Sequence, residues 1–109
     1  MSYNIIAVPS FKRKLKKLDK KYPSLKSDLA ILFKSLEQNP EQGKNLGKNC
    51  YKIRLAISSK SKGKSGGARI ITNIVVTNET VYLLSIYDKS DRETLTDKEL
   101  NELLELVPE

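Results

Sequence analysis

The chain has no histidine, no tryptophan and a single cysteine among its 109 residues. From residue 42 to residue 78 it also has no aspartate or glutamate. Each absence removes a chemistry. Without histidine there is no imidazole to activate a serine or cysteine, and the commonest nitrogen ligand of a transition metal is missing. One cysteine cannot form an internal disulfide, which suits a reducing compartment. Cys50 has no activating partner in the sequence and reads as a small core or strand residue. The acid-free middle of the chain lacks the clustered carboxylates that a magnesium-dependent nuclease needs. No apolar run is long enough to span a membrane, and the apolar stretch before Pro9 is too short for a signal peptide. The expectation is a cytoplasmic protein with no membrane attachment.

Positive charge, by contrast, is abundant. The net charge is +7, and it is unevenly spread. Residues 1–78 hold 17 basic and 4 acidic side chains, a balance of +13, whereas residues 79–109 hold 3 basic and 9 acidic ones, a balance of −6. A basic surface over most of the fold points to a polyanion, or to an acidic protein that covers the same surface. Hydrophobic content of 39% and charged content of 30% fit one globular domain, residues 1–109, with a modest core.

Tyr3 to Val8 reads as a short strand stopped by Pro9. Ser10 is placed to cap a helix in which Phe11, Leu15, Leu18 and Tyr22 recur at helical spacing. Most other positions of that helix are basic, Lys12 and Lys16 among them. They suit either a solvated face of lysine stems over apolar surface or supporting contacts to phosphates. Pro23-Ser24 interrupts the helix, and Ser24 is placed to cap a second one, with Leu25, Leu29, Leu32, Phe33 and Leu36 as its apolar stripe. Asn39-Pro40 stops it. The two form a helical hairpin with a shared apolar seam.

Glu41 to Asn49 reads as a polar loop. After it Tyr51, Ile53, Leu55 and Ile57 alternate with Cys50, Lys52, Arg54 and Ala56, so a strand would put Lys52 and Arg54 on one face. Ser58 to Gly67 is a glycine- and lysine-rich loop carrying Lys60, Lys62 and Lys64. Its Gly63-Lys64-Ser65 looks like the end of a Walker A motif, but the earlier glycine is absent and the loop joins two strands. Arg69 to Thr77 and Val81 to Asp88 are further strands around a turn at Asn78-Glu79, which completes an antiparallel meander. Thr96 and Glu99 form a capping box, Leu95 and Leu100 a hydrophobic staple, and the helix they open runs to Pro108. The order β-α-α-β-β-β-α predicts an α+β fold: a helical hairpin packed on a small twisted, mainly antiparallel sheet, with a C-terminal helix.

Lys52, Arg54, Arg69 and Lys89, with Tyr87 nearby, are the candidates for one concave cationic side of that meander. Such a face can bind a phosphodiester through charge-assisted bonds and stabilise the extra charge of a phosphorane. RNA brings its own nucleophile, the 2′-hydroxyl. The protein then has only to orient it, take its proton, neutralise the phosphorane and protonate the leaving oxygen, and a lysine crowded by cations can serve as the base. A noncatalytic phosphate-binding face is the alternative.

Tyr51-Lys52-Ile53-Arg54-Leu55, the loop from Lys62 to Ile71 and the run from Tyr82 to Ser90 together resemble the RelE/ParE toxin superfamily. The KGKSGG-x-R loop is most similar to its HigB-like branch, and the element order extends the resemblance over nearly the whole chain. The resemblance implies the toxin of a type II toxin–antitoxin pair, which enters the ribosomal A site and cuts mRNA through the 2′-hydroxyl without metal or cofactor. Its partners would be a cognate antitoxin, the ribosome and mRNA, and oligomers would form only through the antitoxin complex. By position, Lys52 and Arg54 would be base and phosphate ligand, Arg69 the phosphorane stabiliser, and Lys89 a leaving-group or backbone contact. Tyr87 would stack on a base or serve as a plain strand-end aromatic; Leu95 stands where RelE-type members carry an aromatic. Lys60, Lys62 and Lys64 would grip the RNA backbone. Two alternatives remain: a ParE-like inhibitor of DNA gyrase without nuclease activity, and a noncatalytic nucleic-acid-binding relative.

Overall fold

The computed structural model describes residues 2–60, 66–92 and 95–108. Its elements are β1 (Asn4–Ala7), α1 (Pro9–Lys21), α2 (Leu25–Gln38), β2 (Lys44–Gly47), β3 (Cys50–Leu55), β4 (Ala68–Val75), β5 (Thr80–Asp88) and α3 (Asp97–Leu104). Short 3-10 turns occupy Ser58–Lys60 and Val76–Asn78. The strands form one sheet in the order β1-β5-β4-β3-β2. From β2 to β5 the neighbours are antiparallel, while β1 lies parallel to β5 at the far edge.

The helical hairpin, the three-strand meander and the C-terminal helix are all as the sequence predicts. The strand β2 is not. It lies inside the stretch read as a polar loop, and Lys48 and Asn49 turn it into β3 with φ of 54° and 60°. A two-residue turn with both centres left-handed matches the twist of a hairpin, but its usual marker is Asn-Gly, and Lys-Asn gives little sign of it.

The core lies between the hairpin and one face of the sheet. Phe11, Leu25, Leu29 and Leu36 from the helices are almost fully buried, as are Ile70 and Ile86 from the strands. Directly paired residues share a face, and the row Ile53–Ile70–Ile86 is apolar throughout. Gly67 lets β4 start hard against the end of β3: a Cβ there would stand 1.9 Å from the Leu55 carbonyl oxygen.

Two caps differ from expectation. Helix α1 starts at Pro9, with Val8 as its N-cap, and Ser10 instead donates its hydroxyl to the Leu84 carbonyl at 2.9 Å. The β4–β5 ladder shifts register between Ile71 and Thr72 and leaves Leu84 without a partner on β4, so Ser10 satisfies its carbonyl. Ser24 is the N-cap of α2 by position but makes no capping bond, because its hydroxyl donates to the Asp28 carboxylate. The capping box of α3 forms as predicted, with the Glu99 amide donating to Thr96 Oγ1 at 3.1 Å and the Thr96 amide donating back to Glu99.

Leu36 is 0% exposed at the centre of the helix–sheet seam. Leu36→Ala is expected to destabilise the fold by about 2–5 kcal/mol, through lost burial and a residual cavity. Urea denaturation measures this, and a loss below about 1 kcal/mol would mean that the seam repacks around the gap.

Candidate active site

Strand parity and register build the site. Arg54 on β3 pairs with Arg69 on β4, which pairs in turn with Tyr87 on β5. The neighbouring row on the same face is Lys52–Ile71–Ser85. Two arginines thus face each other across adjacent strands, at the roughly 5 Å spacing of directly paired side chains, where like charges repel. Such a pair stands ready for an anion between or above it.

Lys52, Arg54, Arg69 and Lys89 all line one open cleft of about 970 Å³. The structure therefore brings together the four cations singled out from the sequence. The cleft touches both faces of β3, because β2 pairs with β3 only as far as Lys52 and leaves the rest of that edge uncovered. Exposure rises along the cationic face of β3, from buried Cys50 through half-buried Lys52 to exposed Arg54. Arg69 is only 4% exposed, and its Nη1 donates to the Ala68 carbonyl at 3.1 Å, so its guanidinium is held in place before any ligand arrives. Lys89 leaves the end of β5 on a backbone fixed by its amide bond to the Gly67 carbonyl at 3.0 Å. Among the described residues, no cluster of His, Cys, Asp and Glu side chains is placed to hold a metal ion.

Tyr87 does not line this cleft. It shares the row of Arg54 and Arg69, yet it is 7% exposed and the Arg92 guanidinium lies 5.4 Å from its ring centroid. With its ring covered in this way, Tyr87 stands in this structure as a strand-end aromatic, the second of the two roles its position suggests. Its hydroxyl has no hydrogen-bond partner among the described residues, and burial pushes its pKa up. The Arg92 above it is clamped by Glu99 of α3 through two bonds of 2.6 and 2.7 Å. Two residues further along α3, Asn101 accepts from Lys48 of the β2–β3 turn. The C-terminal helix is thus tied both to the segment after β5 and to the β2–β3 turn.

The outlying cations divide. Lys12 and Lys16 are exposed on α1. Lys62 and Lys64 lie outside the described residues. Lys60 is not part of a free loop, as expected, but of the 3-10 turn, where its ammonium meets Asp88 at 2.7 Å with only 12% of its side chain exposed. Its charge is already neutralised. Lys14 was not singled out from the sequence. Its Nζ donates to Ser85 Oγ at 2.9 Å, and burial, reinforced by nearby Arg92, lowers its pKa. Nothing in the run of similar lysines distinguishes it; only its place against β5 does.

Asp88 is the other residue that sequence reading passed over. Its side chain is 0% exposed and accepts bonds from Tyr22 (2.5 Å), Lys60 (2.7 Å) and both the amide and hydroxyl of Ser90 (2.9 and 2.7 Å). Burial alone would raise its pKa, but the bonds from Lys60, Tyr22 and Ser90 outweigh burial and hold the carboxyl well below the usual range.

A family model for the RelE toxin of the RelE/RelB toxin–antitoxin system matches residues 10–108. No curated protein matches the sequence. Among solved structures, an arginine-to-alanine double mutant of the E. coli toxin RelE in the free state is similar with a TM-score of 0.63 and 20% identity, covering 99% of this chain and 100% of that one. The RelBE2 toxin–antitoxin complex from Mycobacterium tuberculosis gives 0.61 and 21%, over 84% of this chain and 95% of the other. The isolated E. coli RelE toxin gives 0.59 and 17%, over 97% and 100%.

Glu99 joins the capping box of α3 to the arginine above Tyr87, and the Arg92 bonds, helped by the Thr96 amide, bring its pKa down to about 2. The folded value lies below the unfolded one, so its contribution is complete above about pH 4.3 and is lost as pH falls toward 2. On acidification α3 is expected to loosen before the sheet, with a Glu99 carboxyl resonance that titrates near 2 by NMR. An ordinary midpoint near 4.3 would show that the Arg92 clamp does not hold in solution.

Proposed function

From the premise that this chain belongs to the RelE toxin family of toxin–antitoxin systems, we propose that it is a ribosome-dependent mRNA endoribonuclease. In this reading it acts in the ribosomal A site, uses the RNA 2′-hydroxyl as nucleophile and needs no metal. The observation that carries the proposal is the facing pair Arg54 and Arg69, with Lys52 and Lys89 in the same cleft. A guanidinium keeps its proton in proteins, so the arginines are suited to charge stabilisation and the lysines to proton transfer.

The steps follow from that division. Arg54 and Arg69 hold the non-bridging oxygens of the scissile phosphate. Lys52 removes the 2′-hydroxyl proton as that oxygen attacks phosphorus, and the arginine pair offsets the charge that grows on the phosphorane. Lys89 donates a proton to the departing 5′-oxygen. The P–O5′ bond breaks, leaving a 2′,3′-cyclic phosphate on one fragment and a 5′-hydroxyl on the other. Arg69 is preorganised by burial, whereas Arg54 stands in the open and can adjust to the substrate. The basic face of α1, Lys12 and Lys16 included, supplies the nonspecific grip on RNA, together with Lys62 and Lys64 of the loop.

The restraining partner in this reading is a cognate antitoxin, and complexes form through it. The M. tuberculosis relative is described as a toxin–antitoxin complex, which supports such a partner. An antitoxin could act by covering the cationic cleft or by displacing α3 from its ties at Arg92 and Lys48. The resemblance of the glycine-rich loop to the HigB-like branch is part of the same reading.

Lys52→Ala and Arg54→Ala are each expected to slow cleavage of ribosome-bound mRNA by about a hundredfold or more, with the melting temperature little changed. Arg69→Lys serves for the buried position, because alanine there would leave a hole. An mRNA with a 2′-deoxy nucleotide at the cut position is expected to stay intact. Cutting of that substrate would overturn the nucleophile assignment. A DNA-damage response on expression, with mRNA untouched, would instead support a gyrase inhibitor.

A further inference from the structure

Asp88 lies on the opposite side of the sheet from the arginine row. It pairs with Ala68, one residue beyond the Arg69–Tyr87 pair, so its side chain points to the helical hairpin. Its partners come from three separated parts of the chain. Tyr22 and Lys21 close α1, Lys60 ends the 3-10 turn that enters the glycine-rich loop, and Ser90 lies in the turn after β5. A second set of bonds fixes the same loop entrance: Asp28 of α2 accepts from the Ser58 amide and hydroxyl, and Ser24 accepts from the Ser59 amide.

Lys89 stands between Asp88 and Ser90. Its own amide donates to the Gly67 carbonyl, and the next amide, that of Ser90, donates to the Asp88 carboxylate in an Asx-type turn. The amides of Asp91 and Arg92 both reach the Asp88 carbonyl, which closes the turn. Lys89 is therefore gripped on both sides by backbone bonds, one of which ends on a carboxylate that Tyr22 and Lys60 hold still from behind. A lysine side chain is flexible, and a donor to a leaving group works only if its base is fixed to within a fraction of an ångström.

We propose that Asp88, held by Tyr22 and Lys60, is a positioning residue that sets Lys89 in the cleft for its part in cleavage. The inference rests on the reaction proposed above. In it, the carboxylate touches no substrate, and its whole effect passes through the Ser90 amide to the lysine beside it. Lys60 is spent in this role as the counter-ion of Asp88.

The test is a double-mutant cycle between Asp88→Asn and Lys89→Ala, read on ribosomes carrying mRNA. Asp88→Asn is expected to lower kcat about tenfold while KM changes less than about threefold, and in the Lys89→Ala background to cost less than about twofold. Tyr22→Phe keeps the carboxylate and removes one of its bonds, so it should give a smaller loss of the same kind; it carries the cycle alone if Asp88→Asn does not fold. Equal losses in both backgrounds, or a loss confined to KM, would overturn the positioning role. A wild-type protein that cuts no ribosome-bound mRNA would instead overturn the proposed reaction. The position of Lys89 is then read on its own side chain by NMR, where Asp88→Asn should shift and broaden the Lys89 signals, and unchanged signals would overturn the positioning role.

Discussion

Arg54 and Arg69 face each other across β3 and β4, and the register that puts them there governs the whole site. Two cations in this relation repel, so the pairing is not held by the arginines themselves. It is held from the other face, by Ile53 against Ile70 and Leu55 against Ala68 beneath the helical hairpin. A slip of β3 by one residue would turn Arg54 into that apolar layer and Ile53 and Leu55 out to water. The core and the site are thus two readings of one register. The repulsion that remains is what an anion bound between the two guanidinium groups would relieve.

Much of this was visible in the residues because it is local. Alternation over Cys50 to Ile57 places Lys52 and Arg54 on one face whatever else the chain does, and the stripe from Leu25 to Leu36 can only be the inner side of a helix. The capping box at Thr96 and Glu99 spans three residues and formed as its spacing requires. Strand β2 was hidden because its turn uses Lys48 and Asn49, whose left-handed conformation the sequence barely marks. Position alone makes Ser10 and Ser24 caps, but the Ser24 hydroxyl goes to Asp28 one turn on, and the Ser10 hydroxyl to a Leu84 carbonyl that only the folded chain supplies.

The long-range polar contacts were beyond sequence reasoning. Tyr22 and Asp88 are 66 residues apart and Lys60 and Asp88 are 28 apart, so no spacing rule connects them. Lys60 shows the cost of judging a lysine by its neighbours. In a run of loop lysines it looks like surplus charge, yet it is the buried counter-ion of a carboxylate. Tyr87 is the converse case: parity places it correctly in the arginine row, but parity says nothing of Arg92 and α3, which cover it.

The sheet is also assembled out of order. β1 is synthesised first but pairs with β5, and β5 supplies Tyr87 and Asp88 as well. Contacts between such distant parts of a chain form late in folding and slow it. A nascent chain that has not yet reached Thr80 has its basic helices and both arginine-bearing strands, but no partner for β1 and no anchor for Lys60. The cleft that gathers Lys52, Arg54, Arg69 and Lys89 is therefore complete only after β5 has been made and paired. A ribosome making this chain has thus built both hairpin helices and the strands β1 to β4 before that cationic cleft exists.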